Sequence, residues 1–136
     1  MVASTYWRDQ VAASNEIDIR PVPEGRRSMT PGKDMLYPTA QVLLQAIRAI
    51  PAGRTLTPRE LKGELGRQYG VEYICPVTMS RSLRLVAEGA NEARDAGDED
   101  LPPIWRVLTP RESCLKSVSF DPTWLADQRQ HEAAAD

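Results

Sequence analysis

Apolar residues recur at helical spacing in three stretches of this chain. From Pro38 to about Ile50, the positions Val42, Leu43, Ala46, Ile47 and Ile50 mark one face of a helix. Pro51-Ala-Gly-Arg54 stops it. From Pro58 to about Tyr69, Leu61 and Leu65 predict a second helix with a narrow buried stripe. Its start carries the sharpest local signal. Thr57 is suited to the N-cap, Pro58 to the first helical position, and Glu60 completes a capping box with Thr57. Gly70 ends it, and VEYICP follows as an extended link. A third helix is expected from Pro76 or Val77 to about Ala96, with Met79, Leu83, Val86 and Ala90 on its apolar stripe. Arg81, Arg84 and Glu88 fall together on a different face.

After an acidic loop, GDEDLPP, come two short strand-like runs, IWRVL and LKSVSF. TPRESC lies between them, with Pro110 placed to open a turn, so the pair predicts a β-hairpin. The tetrapeptide TPRE at 57–60 returns at 109–112, but in a different local pattern, and is taken as coincidence. Asp121 and Pro122 are suited to cap a last helix reaching about Ala133. Three helices followed by a hairpin is the order of a winged helix-turn-helix, so the fold class expected is mainly α with a small β-hairpin.

The first 33 residues differ in character. Thr5 to Ala13 suits a short helix, but RPVPEGRRSMTPGK holds three prolines, two glycines and four basic residues. That composition favours extended or turn structure without a core of its own. The domain division expected is therefore 1–33, a flexible or partly helical N-terminal arm, and 34–136, the winged helix-turn-helix domain with its C-terminal helix.

With 136 residues the chain suits one core. No apolar run approaches the roughly 20 residues of a membrane span, and MVASTYWRDQ lacks the pattern of a secretory signal. A cytoplasmic protein with no membrane association is expected. Cys75, Cys114 and His131 are the only cysteines and histidine, and their spacing does not suit a zinc site. No metal and no cofactor are expected. Cys75 has no base at helical or loop spacing, which argues against a thiol enzyme.

The formal net charge is −2, but the charge is segregated. Arg54, Arg59, Lys62, Arg67, Arg81 and Arg84 face three acids (Glu60, Glu64 and Glu72) over 54–84, a local net of +3. The hairpin adds Arg106, Arg111 and Lys116 against Glu112. The arm adds Arg20, Arg26, Arg27 and Lys33. Residues 88–100 hold six acids and one arginine. A basic face within an acidic total is consistent with double-stranded DNA as partner, and the acidic 88–100 segment with a protein partner.

The run AIRAIPAGRTLTPREL, a helix, and then PIWRVL resemble the C-terminal domain of the O6-methylguanine-DNA methyltransferase family. The resemblance covers about residues 36 to 120. It is nearest to the alkyltransferase-like proteins that lack the acceptor cysteine. The repair enzymes carry PCHRV, whose cysteine takes the alkyl group. Here Pro103, Arg106 and Val107 match, while the cysteine position is Ile104 and the histidine position Trp105. The resemblance thus implies a DNA-binding protein of repair type without enzymatic alkyl transfer. Ile104 offers no nucleophile and Trp105 no basic nitrogen.

It also implies a second helix of the helix-turn-helix laid in the minor groove, with Thr78, Ser80, Arg81 and Arg84 near its start. Arg59, Lys62, Arg106 and Arg111 are the further DNA contacts expected. Pro103, Ile104 and Trp105 are expected as a pocket wall. The tyrosine by which the repair enzymes help rotate a nucleotide falls at Pro58. Two other readings stand beside this one: a sequence-specific winged-helix regulator, and a protein-interaction module that has lost DNA binding. Solvated arginines, an Arg84–Glu88 pair, and a core role for Trp105 remain open alternatives for the individual residues.

Overall fold

The computed structural model describes residues 6–14, 16–26, 28–109 and 123–134. The order is α1 (Tyr6–Ala13), β1 (Ile19–Pro21), β2 (Asp34–Leu36), α2 (Ala40–Arg48), α3 (Pro58–Tyr69), β3 (Tyr73–Ile74), α4 (Pro76–Asp95), a 3-10 turn (Ile104–Arg106) and α5 (Thr123–Ala134). The fold is mainly helical with a small sheet. α2, α3 and α4 fall where the apolar spacing puts them. The N-terminus of α3 has the capping box in full: Thr57 Oγ1 accepts from the Glu60 amide at 3.1 Å, and Glu60 Oε1 accepts from the Thr57 amide at 2.9 Å. Gly70 closes the helix in the left-handed conformation at φ 65°.

The sheet comes from other residues than the hairpin pattern suggests. β1 pairs antiparallel with β2, and β2 pairs parallel with β3, through Met35 opposite Tyr73 and Leu36 opposite Ile74. The expected first strand over IWRVL is not formed. Pro102 and Pro103 supply no amide donors to a ladder, and Arg106 and Val107 donate locally to Pro103 and Ile104 at 3.1 Å each. Its proposed partner, LKSVSF, with Pro110, Arg111, Cys114, Asp121 and Pro122, lies outside the described residues.

The main core gathers Leu36, Leu43 and Ile47 with Leu61 and Leu65, the α4 stripe of Met79, Leu83, Val86 and Ala90, and Ile104, Leu108 and Leu125. The N-terminal segment joins this body. Its expected boundary between 33 and 34 falls inside the β1–β2 pairing region, where the Val22 amide donates to the Lys33 carbonyl at 2.8 Å. Val22, Met35 and Cys75 form a second buried cluster with Met29, Tyr37 and Tyr73 packed on it. α1 lies across α4 at Gly89, where an added Cβ would sit 3.6 Å from Val11 Cγ2. The Arg8 amide, in the first turn of α1, donates to the buried Glu92 carboxylate at 2.9 Å, and the Arg8 guanidinium pairs with Asp98 at 2.9 Å.

Candidate nucleic-acid interface

The start of α4 is pinned by the sheet. The Cys75 amide donates to the Leu36 carbonyl at 2.9 Å, and the Cys75 carbonyl accepts from the Met79 amide at 3.0 Å, so the strand β2 sets where the helix begins. Pro76 occupies the first turn, with no N–H to leave unsatisfied. Further along, the Ser82 hydroxyl donates to the Pro38 carbonyl at 2.7 Å and ties α4 to the entry of α2. This leaves Pro76, Val77, Ser80 and Arg81 exposed on the outer side of the first two turns. Val77 is 60% exposed, an unusual position for a large apolar side chain.

The four α4 residues expected to meet DNA thus divide. Ser80 and Arg81 are exposed. Thr78 is half-buried, and its hydroxyl donates to Cys75 Sγ at 3.3 Å. Burial pushes the Cys75 thiol up, but hydrogen bonds from Thr78, Arg26 and the Val77 amide outweigh it and hold the thiol below its ordinary value. Arg84 is half-buried, with its Nε enclosed and without a hydrogen bond. Its guanidinium lies 5.8 Å from the Trp7 ring centroid. The face shared by Arg81, Arg84 and Glu88 is therefore only partly open. Glu88 itself is buried, which raises its carboxyl above the usual range despite the nearby Arg84.

On α3, Arg59 and Lys62 come together on one open groove of about 720 Å³, which Ser80 and Arg81 do not line. Arg67 lines it too and pairs with Glu64 one turn back along α3.

The hairpin residues fare differently. The Arg106 side chain is 14% exposed, and its guanidinium points inward. It donates to Glu132 through Nε at 3.2 Å and Nη2 at 2.7 Å, and to the Ile50 carbonyl through Nη1 at 2.8 Å. Its assignment as a DNA contact is corrected on that ground: the charge is neutralised inside the fold by a carboxylate on α5. Arg111 lies outside the described residues. Nothing in the sequence marked Glu132. It sits on a polar helix without apolar periodicity, and only folding brings it to Arg106.

Of the expected pocket wall, Ile104 is 0% exposed and belongs to the core. Trp105 meets Trp124 edge to face, with ring centroids 5.7 Å apart, and the Trp105 carbonyl accepts from Arg129 Nε. The Trp105 indole N–H is enclosed without a hydrogen bond of ordinary geometry, yet lies near enough to help keep Glu132 ionised. Pro103 and Trp105 do line a shallow depression of about 350 Å³, alongside Arg48, Glu99, Asp100 and Leu101. Arg48 pairs with Asp100 there at 3.2 Å.

Among the described residues, no group of three or more His, Cys, Asp or Glu side chains is placed to share a metal ion, and no helix is long and apolar enough to cross a membrane. No family model, curated protein or solved structure matches this chain.

Proposed function

We propose that this protein binds double-stranded DNA without enzymatic chemistry, in the manner of the alkyltransferase-like proteins its motifs resemble. In this reading α3 and α4 are the two helices of a helix-turn-helix, and the exposed start of α4 meets the DNA. The observation that carries it is the pinned N-terminus of α4. Held by Leu36 and Pro38, it projects Val77, Ser80 and Arg81 outward on a rigid helix. An apolar wedge beside an arginine suits a minor groove, where sequence is read mainly as width and A·T content. Ile104, enclosed in the core at the position of the acceptor cysteine, supports the absence of alkyl transfer.

A sequence-specific regulator is the second reading. Pro58 favours it, because the first turn of α3 carries a ring locked into the helix start where nucleotide rotation would need an aromatic hydroxyl. The protein-interaction reading draws less support. Of the acids between 88 and 100, Glu88 and Glu92 are buried, and Asp98 and Asp100 are paired with Arg8 and Arg48.

Fluorescence anisotropy with a plain duplex and the same duplex carrying one O6-methylguanine tests the proposal. Binding that falls steeply with salt is expected, tighter for the modified duplex, and weakened in Arg81→Ala by about 1 kcal/mol. A labelled methyl group is expected to stay on the DNA, both with the wild type and with Ile104→Cys. Equal affinity for both duplexes with strong preference for one sequence would select the regulator. No salt-dependent binding to either would leave the interaction module.

A further inference from the structure

Resting on that DNA-binding reading, we propose that the groove between α3 and residues 71–74 is a seat for one strand of the DNA phosphate backbone, separate from the start of α4. Its floor is apolar, with Met29, Val71 and Ile74, and its rim is cationic, with Arg59, Lys62 and Arg67 against Glu72. Arg59 and Arg67 are eight positions apart on one helix, a span of about 12 Å at 1.5 Å per residue. A duplex strand offers one phosphate per roughly 3.4 Å of its axis, so Arg59 and Lys62 face about two phosphates, with Arg67, paired with Glu64, at the far end of the run.

The glycines of α3 point the same way. Gly63 and Gly66 both line the groove, in the interior of a twelve-residue helix. Glycine there weakens a helix relative to alanine. At Gly66 an added Cβ would sit 3.4 Å from the Val71 carbonyl oxygen, a close contact at the groove's edge. At Gly63 an added Cβ would meet nothing within 4 Å. Packing therefore does not explain glycine at 63, whereas close approach of a DNA strand to the α3 backbone would. The opposite wall is also fixed. The Tyr73 hydroxyl meets the Thr30 hydroxyl at 3.4 Å and accepts from the Thr30 amide at 3.1 Å; the side-chain contact first and the amide second hold the phenol below its ordinary pKa, and both tie the N-terminal segment to β3. The sugar edge of a strand suits the apolar floor, and its phosphates suit the rim.

The test is the salt dependence of duplex affinity for the full chain, measured for wild type, Arg59→Ala/Lys62→Ala, Gly63→Gln and Arg81→Ala, with a thermal melt of each. The double variant is expected to lose about two from the log–log salt slope, and roughly tenfold in affinity. Gly63→Gln is expected to melt higher than wild type, because glutamine favours a helix, while binding roughly tenfold more weakly because it fills the seat. Greater stability with weaker binding is a combination that damage to the fold does not produce. A double variant with the wild-type slope, or Gly63→Gln binding like wild type, would overturn the seat. If wild type binds and only Arg81→Ala weakens it, the seat falls and the DNA-binding reading stands. If wild type binds no duplex, both fall.

Discussion

Arg106 and Glu132 form a two-pronged ion pair, 2.7 Å at its shorter arm, that clasps α5 to the 3-10 turn and to the end of α2. The carboxylate also accepts from the Gly53 amide at 3.3 Å, so one side chain of α5 holds the turn before α3 as well. The two side chains are 14% and 15% exposed, so removing one partner strands a charge where water reaches it poorly.

Glu132→Gln is expected to destabilise the protein by about 2 kcal/mol, seen as a Tm lower by roughly 5 °C. The pH dependence has a definite sign. The Arg106 hydrogen bonds hold the Glu132 carboxyl below its usual range. Its stabilisation is therefore present above the ordinary carboxylate pKa and disappears as pH falls through the lower folded value. The difference between wild type and Glu132→Gln should close in acid urea titrations, and a gap unchanged from pH 7 down to pH 2 would contradict the clasp.

Glu88 has the opposite sign. It lies between Arg84 and Glu92 on a stripe of α4 that α1 covers through Trp7 and Arg8. Burial, reinforced by Glu92, raises its carboxyl. Stability linked to Glu88 is therefore fully present below the ordinary carboxylate pKa and is lost as pH rises through the raised folded value. Glu88→Gln should melt a few degrees above wild type at neutral pH, and the advantage should vanish near pH 4. A neutral-pH melt below wild type would show that the charge is stabilising where it lies.

The two ends of α3 allow a test of local signals. Thr57→Ala removes the capping box, at a cost of about 1 kcal/mol. Gly70→Ala forces a side chain into the left-handed region, at about 1 kcal/mol more. The sites are about 20 Å apart along the helix, so the costs should add in urea melts of the double variant. A double variant no worse than either single one would mean that α3 frays as a unit.

The N- and C-terminal limits of α3, the apolar stripe of α4 and the extent of α2 were legible in the sequence. Each depends on interactions within one turn or on one period of burial: Thr57 meets Glu60 three residues away, and Met79, Leu83, Val86 and Ala90 recur on one side of one helix. The absence of a nucleophile at Ile104 was equally plain. What tertiary structure alone decided lies across the chain. β2 found its parallel partner in β3, and residues 104–106 closed into a 3-10 turn instead of opening a hairpin, because the donors after two prolines are satisfied locally. Arg106 turned inward because Glu132, 26 residues later, is brought beside it. The segment before residue 34 became a wall because Tyr73 meets Thr30 and Glu92 meets the first turn of α1. Short-range patterning specifies elements; which of their polar faces remain open is settled only when distant elements compete to cover them.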